Sequence, residues 1–296
     1  MKKLLLLVNP KAGQRKASRF LADIIDVFNR SGYTVITHIT WGPGDGSSAV
    51  ARYAKEVDLV VCCGGDGTFN ETASGVLKCG VDLPIGYIPA GSTNDFANSL
   101  RLSNDLVHAA YDIVSGNNIR LDMGSFNGRY FSYVASFGLF TKTSYSTPQD
   151  IKNIFGHAAY LLGSIQELSQ LKSYHVRLEL DDGSIIEDDF AFGAITNSTS
   201  LGGWLTLSEE VVDMADGRFE VLLSRMPKDI AELRDTLHAM LNKTYNCNTI
   251  TFANAKSLKI TAPRDMDWTL DGEKASGRET IDVECLHHAI QLRCRN

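Results

Sequence analysis

A chain of 296 residues is long enough to form two domains, each with its own hydrophobic core. Hydrophobic residues make up 44% of it and charged residues 22%, which is the ordinary balance of a soluble globular protein. The net charge of −6 argues against nucleic acid as a partner and against bulk attraction to an anionic membrane.

The N-terminus does not have the pattern of a secretory signal, because its short apolar run ends at once in Asn9-Pro10. No apolar run approaches the ~18 residues that a transmembrane helix needs. The six cysteines lack CxxC spacing, and we interpret them as small buried hydrophobes of a reducing compartment. We therefore expect a cytoplasmic protein, which at most binds the inner face of the membrane peripherally.

The first part of the chain alternates strand-like apolar runs with segments of helical periodicity. Strands are predicted at residues 2–8, 33–40, 59–63 and 83–88. Helices are predicted at 15–30, from a cap at Ser47 or Ser48 to 55, at 69–77, at 96–100 and at 106–114. This alternation predicts a Rossmann-like α/β domain over residues 1–120, with a parallel sheet and helices on both faces.

From residue 121 onward, turn sequences separate shorter strand-like runs. Strands are predicted at 130–134, 175–180, 185–196, 218–223, 249–252, 257–262, 281–285 and 290–293, and helices at 151–171 and 227–241. The pattern predicts a mostly β sandwich or barrel domain over residues 121–285. The apolar helix 151–171 could line an apolar channel or touch a membrane, but core packing is the preferred interpretation.

The turn Gly64-Gly65-Asp66-Gly67-Thr68 joins a predicted strand to a predicted helix. Glycines let a backbone approach a ligand closely, and the free N–H groups at a helix start bind phosphate. Asp66 would repel a phosphate, so we expect Mg²⁺ between the two. The same residues also suit an ordinary tight turn, and this motif alone does not decide between the two interpretations.

Three other predicted strands of the first domain end in comparable loops, at residues 9–13, at Thr40 and at 91–95. Ligands of open parallel sheets bind beyond the carboxyl ends of the strands. All four strand ends carry glycine residues or hydroxyl or carboxylate side chains. The convergence of these four strand ends favours a nucleotide site over four unrelated turns.

Acidic turns mark the second half. Asp271-Gly272-Glu273 could supply a general base and a charge that faces a metal, although a simple hairpin turn has the same sequence. Residues 213–217 by themselves indicate a turn. A structural role or simple exposure is favoured over metal binding for the adjacent His287 and His288. The sequence contains neither GxSxG nor GxxxxGK[ST], which excludes a nucleophile elbow and a P-loop.

In their order and spacing these motifs resemble the diacylglycerol kinase catalytic-domain family, and within it the soluble bacterial lipid kinases. The resemblance rests on NPKAG at 9–13, Thr40 before Gly44-Asp45, GGDGTFNE at 64–71, GSTNDFA at 91–97, Ala215-Asp216-Gly217 and DGE at 271–273. It implies an active site in the cleft between the two domains, and a C-terminal segment, about 286–296, that returns to the first domain. It also implies Mg²⁺-dependent phosphoryl transfer from ATP to diacylglycerol, giving phosphatidic acid.

The resemblance also implies roles for individual residues. The implied nucleotide-binding residues are Asn9, Pro10, Lys11, Ala12, Gly13, Thr40, Gly64, Gly65, Asp66, Gly67, Thr68, Phe69, Asn70, Glu71, Ser92, Thr93 and Asn94. Glu273 matches the proton acceptor, and Asp271 is expected to orient that site or the metal. Asp66, Asp95 and Asp122 fit the acidic network around the catalytic metal. A structural magnesium site is implied at Asp213, Asp216 and the backbone of Arg218, although Ala215 replaces a usual acidic residue.

Alternatives remain for the acceptor and for catalysis itself. The acceptor could be phosphatidylglycerol, a sphingoid base, a polyprenol or NAD, although NPKAG, GSTNDFA and DGE argue against the NAD kinases. A nucleotide-binding regulator without catalysis is disfavoured, because it could lose Asp66, Asp271 and Glu273 freely. We expect a lipid substrate met at the membrane surface and no nucleic-acid partner, and we leave a homodimer open.

Overall fold

The computed structural model describes residues 2–138, 172–203, 205–245 and 247–295. The chain divides into two compact units, which we call unit 1 (Met1–Met123 and His287–Asn296) and unit 2 (Gly124–Leu286). Two strands carry the chain across the boundary: β5 (Asn117–Phe126) and β17 (Thr280–Cys294). The predicted helix 151–171 lies outside the described residues.

Unit 1 is built on a parallel sheet. Its strands are β1 (Lys2–Val8), β2 (Tyr33–Ile39), β3 (Leu59–Gly64) and β4 (Ile85–Pro89), in the spatial order β4-β3-β1-β2, and the end of β17 pairs in parallel beside β4. The apolar run of β1 is fully buried on both faces, as expected for a parallel strand covered by helices.

Helices cover both faces of this sheet. They are α1 (Lys16–Arg19), α2 (Leu21–Arg30), α3 (Asp45–Tyr53), α4 (Asp66–Cys79), α5 (Asp95–Ser99) and α6 (Leu106–Ser115), with a 3₁₀ turn at Ala12–Arg15. Leu4, Leu6 and Val8 pack with apolar residues of α2 and α6 in one core cluster. Helices α3 and α4 contact the strands β1 and β3. The predicted α/β architecture is confirmed.

Three helix boundaries differ from the prediction. The single helix predicted at 15–30 is divided into α1 and α2 at Phe20, whose backbone at φ −99° and ψ 8° leaves the helical conformation, and Arg15 at φ 70° lies before α1. Helix α3 begins at Asp45, not at Ser47 or Ser48, because Gly44 at φ 81° ends the loop earlier. Helix α4 begins at Asp66, so the glycine-rich turn already forms the first turn of this helix.

Unit 2 is mostly β, as predicted. The last residues of β5 and the first residues of β17 belong to it. Its other strands are β6 (Arg129–Phe131), β7 (Val134–Gly138), β8 (Tyr174–Leu180), β9 (Ile185–Thr196), β10 (Ser200–Leu201), β11 (Leu205–Thr206), β12 (Phe219–Arg225), β13 (Ile250–Ala255), β14 (Ser257–Thr261), β15 (Trp268–Leu270) and β16 (Glu273–Ala275). The pairs within it are antiparallel, and their inward side chains share one aromatic core that includes Phe137, Phe190 and Trp268.

Three predictions in unit 2 need correction. The strand predicted at 130–134 is interrupted at Ser132 and Tyr133, between β6 and β7. The strands predicted at 281–285 and 290–293 are one long strand, β17. Helix α7 (Ile230–Leu241) begins later than residue 227, because the side chain of Asp229 accepts a hydrogen bond from the backbone of Glu232 and caps it there.

Candidate active site

Three loops of unit 1 meet at the carboxyl ends of β1, β3 and β4; we call them by their residues, 9–13, 64–68 and 90–94. The backbone N–H of Asn9 donates to the carbonyl of Cys63 at 2.9 Å, and that of Ala90 donates to Gly64 at 2.7 Å. The side-chain amide of Asn9 donates to the Thr68 hydroxyl at 3.2 Å. The convergence expected from the sheet topology is therefore present among these three loops.

Glycines allow the loops to lie this close. Gly13 has φ 51°, and a Cβ at this position would lie 2.0 Å from the carbonyl oxygen of Ala90. A Cβ at Gly65 would lie 3.2 Å from the Cα of Gly91. Because glycine has no side chain, the backbones of the loops can approach each other at these two points.

The N-terminus of α4 belongs to this surface. Gly65 is its N-cap residue and offers no side chain to the first N–H groups of a helix of 14 residues. Unpaired amides and the helix dipole together favour an anion at such a position. In the neighbouring loop, the side chain of Asn94 accepts from the N–H of Gly91 at 2.9 Å and donates to its carbonyl at 3.2 Å, which fixes the shape of loop 90–94.

Asp66 joins the starts of two helices. Its buried carboxylate accepts hydrogen bonds from the backbone N–H groups of Asp95 and Phe96, at 3.1 and 3.2 Å, and from the Thr93 hydroxyl at 3.4 Å. Burial raises the pKa of the Tyr87 hydroxyl well above its ordinary value, and the negative charges of Asp66 and Asp95 raise it further. The Tyr87 hydroxyl has no hydrogen-bond partner among the described residues. This region is therefore rich in oxygen donors and in negative charge.

In unit 2, Asp271 holds the interruption between β6 and β7. One carboxylate oxygen accepts from the N–H and the hydroxyl of Ser132, at 2.6 and 2.7 Å, and the other accepts from the N–H groups of Tyr133 and Val134, at 3.0 and 3.1 Å. Burial raises the pKa of the Asp271 carboxyl, while these hydrogen bonds act in the opposite direction. These contacts hold residues 132–134 in place; the orienting role expected for Asp271 stays a prediction.

Glu273 has the opposite environment. It starts β16 two residues after Asp271, and 60% of its side chain is exposed. Arg129 donates to one Glu273 carboxylate oxygen at 2.8 Å and to the carbonyl of Lys274 at 3.0 Å. The carboxylate is therefore oriented by a forked contact and remains open to solvent.

A second acidic group lies at the start of β12. Asp213 and Asp216 accept hydrogen bonds from the N–H groups of Ala215 and Arg218, at 3.0 and 2.8 Å. Glu220 is fully buried nearby; burial, and then the charges of Asp216 and Asp213, raise its pKa to about 8. One of its oxygens has no hydrogen-bond partner in the described parts of the chain.

Comparison with known proteins identifies the chain. The family model described as the diacylglycerol kinase catalytic domain matches residues 3–126. A diacylglycerol kinase of Bacillus subtilis (strain 168) is 30% identical over 275 residues, which cover 92% of this chain and 90% of the relative. The chain belongs to the diacylglycerol kinase family. A diacylglycerol kinase of Staphylococcus epidermidis (strain ATCC 12228) is 31% identical over 277 residues, which cover 92% of this kinase and 86% of the relative.

Solved structures share the fold. A crystal structure of a diacylglycerol kinase from Bacillus anthracis strain Sterne has a TM-score of 0.77 and 24% identity, and the match covers 99% of this kinase and 97% of that chain. A second structure from the same strain has a TM-score of 0.81 and also 24% identity, with 99% and 95% covered. The predicted family, fold class and enzyme class are confirmed.

The predicted nucleotide residues fall into two groups. Loops 9–13, 64–68 and 90–94 contain Asn9, Pro10, Lys11, Ala12, Gly13, Gly64, Gly65, Asp66, Gly67, Thr68, Ser92, Thr93 and Asn94, with Thr40 following the neighbouring strand β2. The remaining residues, Phe69, Asn70 and Glu71, make contacts within unit 1. Phe69 is fully buried and stacks on Phe96 with ring centroids 4.1 Å apart. Glu71 accepts from the N–H groups of Gly44 and Gly46 and so caps α3, while Asn70 accepts from Ser74.

The predicted metal residues separate as well. Asp66 and Asp95 lie together, and Asp213, Asp216 and Arg218 share the turn before β12. Asp122 accepts hydrogen bonds from His287 and His288 on β17, and its place in the acidic network stays a prediction. Glu220 was missed, although one signal was present: a carboxylate inside the otherwise apolar strand 219–223, where a charged residue needs a partner.

The first mutational prediction concerns the close approach of loops 64–68 and 90–94. Gly65→Ala should weaken ATP binding about tenfold, because the added methyl group reaches the backbone of Gly91 and must displace one loop. Calorimetric titration with ATP and Mg²⁺ measures the effect. Gly42→Ala adds the same methyl group where nothing lies within 4 Å, and it should bind like the wild type. Equal affinities in all three proteins would contradict the assignment of this surface.

The second prediction concerns Glu220, whose carboxyl is neutral when buried without a cation. Burial gives this carboxyl a pKa of about 8 in the folded state, above the ordinary glutamate pKa of 4.5. Neutral Glu220 therefore makes its full contribution to the free energy of unfolding below pH 4.5, where the carboxyl is protonated in both the folded and the unfolded state. This contribution is lost as the pH rises through 8. We expect urea unfolding in EDTA to show this loss: between about pH 5 and 8, the free energy of unfolding of the wild type should fall by on the order of 3–5 kcal/mol relative to that of Glu220→Gln.

Two controls accompany this experiment. Glu284→Gln, at an exposed position of β17, should follow the wild type at every pH. Adding Mg²⁺ at pH 8 should restore part of the lost stability in the wild type only, since a cation bound beside Glu220 favours the ionised carboxylate. Parallel curves for the wild type and Glu220→Gln would show that this carboxyl is not buried neutral.

Proposed function

We propose that this kinase transfers the γ-phosphoryl group of ATP to the hydroxyl of diacylglycerol and releases phosphatidic acid, in a reaction that requires Mg²⁺. The observation that carries the proposal is the close approach of loops 9–13, 64–68 and 90–94 beside the N-terminus of α4, where the N-cap residue Gly65 has no side chain. Phosphoryl transfer needs positioned donors for phosphate oxygens more than it needs covalent chemistry, and backbone amides of this kind are such donors.

The nucleotide would be held mainly by backbone. The first amides of α4 would bind phosphate oxygens, and the exposed Lys11 lies in the adjacent loop, where its ammonium group can approach them. Thr40 follows β2, beside the end of β1, and its N–H donates to the carbonyl of Val8 at 2.9 Å. Phe69, Asn70 and Glu71 would support this surface from within instead of touching the nucleotide.

The donor set fits Mg²⁺, which prefers oxygen ligands. Asp66 and Asp95 are buried carboxylates and would hold the catalytic ion. When bound, the ion supplies charge neutralisation at the transferring phosphoryl group. At the start of β12, Asp213, Asp216, the Arg218 carbonyl and Glu220 would hold a structural ion, and the buried Glu220 oxygen without a partner supports this fit.

Glu273 would accept the proton of the acceptor hydroxyl as that oxygen attacks phosphorus. A general base must be reachable and oriented, and this carboxylate is exposed while Arg129 fixes its direction. Asp271 would act through the backbone, by holding the turn at residues 132–134 against the β15–β16 hairpin. Its hydrogen bonds support a positioning role over contact with the reacting atoms.

The acceptor is proposed from the names of the relatives, which are diacylglycerol kinases. A lipid acceptor implies peripheral contact with a membrane surface from the cytoplasmic side. None of the helices in the described parts of the chain is long and apolar enough to cross a bilayer.

A transfer assay tests the proposal directly. The purified kinase, radiolabelled ATP and Mg²⁺ are incubated with mixed micelles that contain diacylglycerol, phosphatidylglycerol, sphingosine or a polyprenol, and separately with NAD. Diacylglycerol should give the highest kcat/KM, with the label in phosphatidic acid. Preferential labelling of another acceptor would replace diacylglycerol in this proposal, and absence of labelling in every arm would contradict catalysis.

A further inference from the structure

Two adjacent histidines of β17 lie on the same side of the strand. Successive side chains of a regular strand point to opposite faces, so His287 and His288 would ordinarily diverge. His288 instead adopts a left-handed conformation at φ 51°. The two imidazole rings stack with centroids 3.7 Å apart and an interplanar angle of 25°.

A buried carboxylate completes the group. Asp122, on the paired strand β5, is fully buried and accepts hydrogen bonds from the His287 ring at Nδ1 and from the His288 backbone N–H, at 3.1 and 2.6 Å. Each of the three residues offers one ligand atom, and these atoms all lie within 4.8 Å of one another. Both histidines are exposed, so an ion can reach the group from solvent.

The composition of the group decides which ion it suits. Imidazole nitrogen binds Zn²⁺ and its neighbours Co²⁺, Ni²⁺ and Cu²⁺, whereas Mg²⁺ and Ca²⁺ prefer all-oxygen sites. Two histidines and one carboxylate also form a ligand set that Zn²⁺ uses with a fourth position left to water. The left-handed conformation of a non-glycine residue such as His288 is unfavourable by itself, and a bound ion would offset its cost.

We propose that Asp122, His287 and His288 form a binding site for a divalent ion of the Zn²⁺ class. Each histidine would bind the ion through one ring nitrogen and keep its hydrogen on the other. The ion would connect β5 to β17, the two strands by which the chain enters and leaves unit 2. The inference does not depend on the identity of the lipid acceptor.

Cobalt titration of the full-length, metal-free protein is the test. Co²⁺ should bind at one equivalent and produce visible absorption bands of a site with nitrogen ligands, Zn²⁺ should displace it, and excess Mg²⁺ should not. His287→Gln and His288→Gln should each weaken Co²⁺ binding at least tenfold, about 1.4 kcal/mol.

A surface histidine of unit 2 provides the matched control. His175 is also exposed and contacts two carboxylates, Asp189 at 3.0 Å and Glu187 at 3.2 Å. His175→Gln should leave the cobalt affinity unchanged. Loss of binding in His175→Gln with retention in His287→Gln would overturn the assignment, as would a wild-type protein that binds no Co²⁺.

Folding of the variants is checked separately. Circular dichroism and thermal unfolding in EDTA should show that His287→Gln and His288→Gln fold like the wild type, since both side chains are exposed. A measurement on the unmodified protein removes any dependence on the variants: Zn²⁺ should protect His287 and His288 from diethylpyrocarbonate, as read by peptide mass spectrometry. Equal modification with and without Zn²⁺ would contradict the site.

Discussion

Glu273→Gln is expected to lower the turnover of this kinase by ~10²–10⁴-fold, the usual contribution of a general base. Glutamine keeps the size of the side chain and can still accept a hydrogen bond from Arg129, but its amide cannot take a proton from the acceptor hydroxyl. ATP affinity should barely change, because the proposed nucleotide contacts are made by loops of unit 1. The acid limb of the pH–rate profile should disappear in the same variant.

Glu279 offers a control of the same chemistry. It is an exposed glutamate of unit 2 with 63% side-chain exposure, and it pairs with Arg264 at 2.6 Å. Glu279→Gln removes an ion pair of the same kind and should leave turnover within about twofold, since exposed pairs contribute only ~0–1 kcal/mol. If Glu273→Gln retains more than roughly a tenth of wild-type turnover, the proton acceptor is another residue.

Asp271→Ala is expected to reduce the free energy of unfolding by about 3–5 kcal/mol, measured in urea without any substrate. The carboxylate accepts four hydrogen bonds of 2.6–3.1 Å, and its removal leaves three backbone N–H groups and the Ser132 hydroxyl without this partner. Buried donors that lose their acceptor keep their full desolvation penalty, which is why the effect exceeds that of an ordinary surface change.

The control for this variant lies on the same hairpin. Asp267 pairs with Lys274 at 2.6 Å but is exposed, so Asp267→Ala should change stability by less than about 1 kcal/mol. A stable Asp271→Ala protein that has lost turnover would contradict the positioning role and return Asp271 to the chemistry. Loss of stability and turnover together, with partial recovery in Asp271→Asn, is the outcome that the hydrogen bonds predict.

Local pattern was sufficient for most of the architecture. Buried apolar runs such as Leu4–Val8 specify parallel strands, and the loops that follow them must converge because all the strands end at one edge of the sheet. Helix starts were less predictable, since Glu71 caps α3 from a position 27 residues beyond Gly44. A contact across such a separation leaves no trace in the periodicity of either segment.

Some features of the candidate site could likewise be predicted from the sequence, and others could not. Glycine, asparagine and aspartate in the loops of unit 1 could be chosen as candidates from the sequence because the spacing of their motifs is distinctive, and their roles stay predictions. The burial of Asp271 and Glu220 could not, because an acid in a turn or a strand looks the same whether it faces solvent or the core. The left-handed conformation of His288 was equally hidden, since strand alternation predicts that its ring points away from His287.

The boundary between the units has a consequence for synthesis of the protein. Unit 1 is discontinuous: its last segment, from His287, is made only after the whole of unit 2. That segment places Leu292 beside Ile85 of β4, and Arg293 donates to the carbonyl of Ile113 in α6 at 2.9 Å. A nascent chain on the ribosome therefore carries an uncovered edge of β4 until the segment from His287 has been made, and such an edge can pair with other chains. A premature stop before His287 would leave this edge open permanently and expose the kinase to aggregation.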